Sequence, residues 1–137
     1  MNAMTTAVVL FAHGARDPAW ALPLQVLQQQ VKLRAPGVEV RIAFLELLSP
    51  ALPVVLNELA VTHRQVDLLP VFWAATGHVS RELPLLLATA RQLHPTLAVR
   101  VLPPLSELPG LLESVADTVV SGLAAPAACA DQAGGER

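Results

Sequence analysis

Val8-Val9-Leu10-Phe11-Ala12, closed by His13-Gly14, is the stretch on which the fold turns. It is short, β-branched and aromatic, and apolar at every position rather than at every second one. A strand with one wet face alternates, whereas a strand buried on both faces does not, so this run reads as a central strand of a parallel sheet. Three further runs resemble it: Val38–Leu45 after Pro36-Gly37, Val66–Trp73, and Leu97–Leu102. Pro103-Pro104 ends the last of these, because neither proline can donate to a ladder. Pro70 leaves the third run with the least defined register, since a proline sits badly in the middle of a central strand.

Each run is followed by a segment with apolar residues at three- and four-residue steps. These are Leu24, Leu27 and Val31; Leu52, Val55, Leu56 and Leu59; Leu86, Leu87, Ala90 and Leu93; and Leu112, Val115 and Val119. That spacing predicts amphipathic helices. Their starts are assigned to Asp17-Pro18, Ser49-Pro50, Ser80 and Pro109, with Pro23 delaying or kinking the first. Strand and helix alternate throughout, so the expected class is α/β: a four-stranded parallel sheet with helices on both faces, a flavodoxin-like three-layer sandwich. One domain is expected over residues 1–123. Residues 124–137, rich in Ala and Gly and without periodicity, read as a loose tail.

Of the 137 residues, 53% are hydrophobic and 15% charged, which excludes a disordered chain. A formal net charge of −2 lacks the footprint of a phosphate-backbone binder, so no nucleic acid partner is expected. The opening apolar run is too short for an export signal, and no stretch approaches the ~18 apolar residues of a membrane span. The lone Cys129 offers no internal disulfide. A cytoplasmic protein without membrane partners is expected.

Ligands of such sheets bind beyond the carboxyl ends of the strands, where the winding reverses. If the strand order is 2-1-3-4, as in flavodoxin-like sheets, that point lies between strands 1 and 3, whose following loops begin at His13 and contain His78. Glu46 closes strand 2, beside strand 1. Two imidazoles and a carboxylate there suit a divalent transition metal with coordination positions left open. Glu46 could equally pair with Arg16. His63 and His94 fall at helix ends, where a cationic ring complements the dipole, and are left structural. Phe72 and Trp73 offer flat apolar surface that a ring-shaped ligand could use, but at a strand end core packing is the stronger reading. No glycine-rich phosphate loop follows strand 1, which argues against a nucleotide or flavin binder.

Three segments together are more specific: His13-Gly14-Ala15-Arg16-Asp17-Pro18, Glu46-Leu47-Leu48-Ser49-Pro50-Ala51-Leu52, and Phe72-Trp73-Ala74-Ala75-Thr76-Gly77-His78-Val79-Ser80-Arg81-Glu82-Leu83-Pro84. In this order they resemble the small class II tetrapyrrole chelatases of the CbiX type. The resemblance runs from the first strand to the helix after Pro104-Leu105. Ala15, Glu82 and Ser106 depart from the usual serine, aspartate and glycine of the family pattern.

The resemblance implies a chelatase-like fold and insertion of Co²⁺, or else Fe²⁺ or Ni²⁺, into sirohydrochlorin for cobalamin- or sirohaem-type biosynthesis. His13 and His78 would bind the metal. Glu46, or a histidine that has given up the metal, would accept pyrrole protons, and Arg16 and Arg81 would orient the substrate's carboxylates. The metal is then a substrate, and no organic cofactor is implied. The half-length chain implies a homodimer. The rival reading is a non-catalytic carrier of metal or tetrapyrrole.

Overall fold

A computed structural model describes residues 6–74 and 77–124, without the side chains of residues 78 and 124. Two compact units meet in sequence at Leu105 and Ser106. The first holds a sheet of four parallel strands, β1 (Thr6–Ala12), β2 (Glu39–Phe44), β3 (Gln65–Pro70) and β4 (Ala98–Val101), in the order β2-β1-β3-β4. The same unit carries helices α1 (Leu22–Arg34), α2 (Leu52–Leu59) and α3 (Gly77–Leu93). The second unit carries α4 (Leu111–Ala124), on which Leu112, Val115 and Val119 keep the expected spacing and are exposed. Of the tail expected from residue 124 onward, residues 125–137 lie outside the described residues.

β1 is dry on both sides, as its unbroken apolar run requires. Val9 and Phe11 pack with Leu52, Val55, Leu56 and Leu59 of α2 and with Leu83, Leu87 and Ala90 of α3. Leu10 and Ala12 pack on the opposite face with Leu24, Leu27 and Val31 of α1. Leu93 was expected inward but is exposed, because the inward row of α3 runs through Leu83, Leu87 and Ala90.

The register resolves Pro70. Backbone groups of a strand point alternately to its two neighbours. Val71 donates to the Phe11 carbonyl at 2.7 Å, and Leu102 donates to the Leu68 carbonyl at 2.8 Å. Pro70 therefore lacks its N–H on the β4 side, beyond Val101 where β4 has ended.

The helix starts differ from expectation in instructive ways. Asp17 Oδ1 accepts from the Ala19 N–H at 2.9 Å, which caps a 3-10 turn over Pro18–Ala21 rather than α1 itself. Pro23 then falls in the first turn of α1, where its missing donor costs nothing. Ser49 stays in the loop, and α2 starts after Ala51 with Pro53 in its first turn. α3 begins at Gly77, three residues before Ser80, whose Oγ donates back to the Gly77 carbonyl at 2.9 Å instead of capping amides.

One polar contact on the sheet has a predictable pH signature. Asp67 and Arg100 stand opposite each other on β3 and β4 and form a two-pronged pair at 2.6 and 3.1 Å. Hydrogen bonding from Arg100 holds the Asp67 carboxyl below its ordinary 3.8, against the opposing effect of partial burial. A carboxyl with a depressed folded-state pKa stabilises the fold fully above its unfolded value and loses that contribution as pH falls through the folded one. Asp67→Asn is therefore expected to be less stable than wild type at pH 7, with the gap closing below about pH 4. Urea midpoints at both pH values measure it.

Candidate functional site

The order β2-β1-β3 brings the carboxyl ends of three successive strands side by side. The β1–β2 ladder continues past both strands: Leu45 donates to the Ala12 carbonyl at 2.9 Å, and Glu46 donates to the His13 carbonyl at 3.0 Å. Backbone bonds thus hold His13 against Glu46 before either side chain is considered.

Two backbone devices make this possible. Gly14 has φ +104°, and a Cβ there would overlap the Glu46 carbonyl oxygen, so only glycine fits. Leu47 has φ +71°, and Leu48 donates to the Glu46 carbonyl at 2.8 Å. A hydrogen bond between residues two apart, closed over a centre of positive φ, is the rare and strained form of γ-turn. Leucine carries no sequence signal for that conformation, since left-handed backbone favours glycine and asparagine. The loop then returns along β2, where Phe44 donates to the Pro50 carbonyl at 2.9 Å.

The side chains meet as the backbone dictates. His13 Nε2 lies 3.2 Å from Glu46 Oε1, with the two side chains 42% and 47% exposed. Glu46 is thus paired with the imidazole, where Arg16 had been the alternative. His13 Nδ1 lies 3.4 Å from the Gly14 carbonyl oxygen. The 3.2 Å contact is a hydrogen bond when Nε2 carries the proton; with the proton on Nδ1 and turned to the Gly14 carbonyl, as in many metal-binding histidines, the Nε2 lone pair would instead be offered to an ion shared with Glu46. Donor atoms at this spacing, each about 2.1 Å from one ion, subtend roughly 100° there, between octahedral and tetrahedral angles.

The other expected site residues are less closely joined. His78 is the second residue of α3, and its side chain lies outside the described residues. Arg16 and Arg81 are exposed, and among the described residues neither forms an ion pair. Among the described residues no group of three His, Cys, Asp or Glu side chains converges on a metal position. His63 and His94 lie just past the ends of α2 and α3, their ring nitrogens meeting Thr62 Oγ1 at 2.9 Å and Asn57 Oδ1 at 2.7 Å.

The aromatic pair after β3 divides. Phe72 packs edge-on against Phe11, with ring centroids 5.7 Å apart at 89°, as core residues do. Trp73 does not follow it inward and is 59% exposed, because the strand has ended at Pro70 and the chain is leaving the sheet.

A profile of the CbiX family matches residues 7–121. The chain belongs to the CbiX family. The fold is similar to that of a CbiX protein from Marinobacter aquaeolei VT8, with a TM-score of 0.68, 24% identity, and coverage of 86% of this chain and 97% of that one. It is also similar to the sirohydrochlorin chelatase SirB from Bacillus subtilis subspecies spizizenii in complex with cobalt (TM-score 0.66, 18% identity), over 74% of this chain and 44% of that one. A multi-domain protein from Deinococcus radiodurans with structural similarity to chelatases matches at TM-score 0.63 and 22% identity, over 85% of this chain and 25% of that one. At these identities the likeness is one of fold. A comparison with curated protein sequences gives no significant match. The CbiX match takes in both backbone devices, Gly14 and Leu47, together with the His13–Glu46 pair they hold.

Gly14→Ala is expected to destabilise the protein by more than about 2 kcal/mol, through both the unfavourable φ and the overlap with the Glu46 carbonyl. Leu47→Gly, which relieves the strained turn, is expected to stay within about 1 kcal/mol of wild type, because lost strain and added chain entropy oppose each other. Urea unfolding of both variants checks the pair of outcomes.

Proposed function

We propose that this CbiX-family protein inserts a divalent metal into sirohydrochlorin, with Co²⁺ the leading candidate and Fe²⁺ and Ni²⁺ admitted by the same donors, in cobalamin- or sirohaem-type biosynthesis. The observation that carries the reading is the His13–Glu46 pair at 3.2 Å, held at the central strand ends by backbone bonds. The family membership and the fold shared with cobalt-bound SirB support it.

Insertion must deliver the ion to a flat macrocycle, remove two pyrrole protons and let the product go. His13, with His78 of the third motif, holds the incoming metal as neutral imidazole and leaves positions open to the macrocycle nitrogens. Glu46, nearly half exposed, receives the two pyrrole protons in turn as the metal passes to the ring and hands each to solvent. Its place beside His13 puts the base within reach of the position where metal is exchanged for protons. Arg16 and Arg81 meet the peripheral carboxylates of the substrate with charge-assisted hydrogen bonds. A carrier would need the histidines without the proton acceptor, and the carboxylate beside His13 favours the enzyme.

His13→Ala is expected to weaken Co²⁺ binding at least ~10-fold, a loss already typical of supporting groups around a metal. Glu46→Gln is expected to slow metallation about 10²–10⁴-fold, the usual contribution of a general base, with much less effect on binding. Metal titration and an absorbance assay of sirohydrochlorin metallation, with each ion offered separately, read both. Wild-type turnover in Glu46→Gln would assign the proton to another acceptor, and binding without turnover in wild type would favour the carrier.

We further propose a homodimer acting in the cytoplasm. The His13–Glu46 pair lies on open surface, and one wall does not enclose a flat ring. Val26 and Leu33 on α1 leave apolar surface for a twin to cover. The part of the chain that matches SirB covers 44% of it, so two such parts would account for most of its length, and a two-fold pairing would set two sites facing each other. Light scattering over a dilution series is expected to give twice the 14.5 kDa monomer mass. Full activity at the monomer mass would defeat the proposal.

A further inference from the structure

We infer that Leu47 and Trp73 form the apolar surface on which the face of the macrocycle rests, one on either side of His13; this rests on the chelatase reading above. The chain has five aromatic residues, three Phe and two Trp. Phe11 and Phe44 are buried and Phe72 is half-buried, edge-on against Phe11, which leaves the tryptophans as the exposed aromatic residues. Trp20, in the 3-10 turn, shares a groove with Leu24, Leu27, Val71 and Leu105 and has apolar neighbours there. Trp73 is the more exposed, at 59% against 45%, and stands at the carboxyl end of β3, next to β1 in the sheet.

Leu47 stands at the carboxyl end of β2, on the other side of β1, and is also 59% exposed. Its backbone is in the strained γ-turn, yet the side chain gains little burial in return. A bulky apolar residue at φ +71° facing water is unfavourable twice over, by conformation and by hydration. Outliers of this kind gather at ligand-binding sites, where the ligand supplies the contact the free protein lacks. The indole suits a flat conjugated ring, which stacks offset on aromatic faces, and the branched leucine fills the space beside it.

The division of labour is then chemical. His13 and Glu46 address the centre of the ring, Arg16 and Arg81 its charged rim, and Leu47 and Trp73 its apolar face. Contact with the ring alone is uniform binding, so losing it raises KM and leaves kcat at saturation largely intact.

The test titrates metal-free sirohydrochlorin, followed by absorbance, into the full chain and its Trp73→Ala, Trp73→Phe and Leu47→Ala variants, with Co²⁺ titrated in parallel. Both side chains are exposed, so truncation leaves the core packing unchanged, and wild-type Co²⁺ affinity in each variant checks the site. Trp73→Ala is expected to weaken macrocycle binding at least 10-fold and raise KM similarly, Trp73→Phe to recover most of the loss, and Leu47→Ala to weaken it several-fold. Macrocycle affinity equal to wild type in Trp73→Ala and Leu47→Ala overturns the inference and leaves the chelatase reading standing. Failure of wild type itself to bind the macrocycle overturns both.

Discussion

The carbonyl oxygen of Glu46 lies where the Cβ of any residue but glycine at position 14 would sit. That close approach lets the β1–β2 ladder run on past the strands, and the extra rungs, Leu45 to Ala12 and Glu46 to His13, place the imidazole beside the carboxylate. The same carbonyl closes the γ-turn at Leu47. One oxygen atom therefore couples the positions of His13, Glu46 and Leu47, and the chemistry of the crest depends on how tightly the two loops are pressed together.

What holds the loops there is the burial of β1. Its side chains fill both faces of the sheet, against α2 and α3 on one side and α1 on the other. Burying a large apolar side chain contributes roughly 1.5–3 kcal/mol, so sliding β1 by one residue would exchange the two faces of a strand that is dry throughout and misfit both layers. The site is consequently rigid at its base and open at its rim. Such a rim can admit a large flat ligand while the donors beneath keep their spacing.

Much of this was legible in the chain. The four strands overlap the four apolar runs, with ends that differ by up to three residues, and the order β2-β1-β3-β4 is that of flavodoxin-like sheets. His13 and Glu46 were placed at strand ends and stand there. The helix starts were less legible. Ser49 and Ser80 are good caps in isolation, but a cap depends on where the chain first turns: α2 starts at Leu52, with Pro53 in its first turn, and α3 at Gly77. Leu93 has the right spacing for the core and lies outside it, because spacing names a face but not how far the covering layer extends.

The sequence by itself determined the class of fold, the central strand and the residue types at its carboxyl edge, since apolar periodicity and turn residues are local properties read within a few positions. Only the tertiary structure decided that Glu46 meets His13 rather than Arg16, that Gly14 is irreplaceable, that Leu47 is strained and that Trp73 faces water while Phe72 does not. Each of these depends on a distance between segments far apart in the chain, or on where a neighbouring strand stops. Such distances arise only when the sheet assembles.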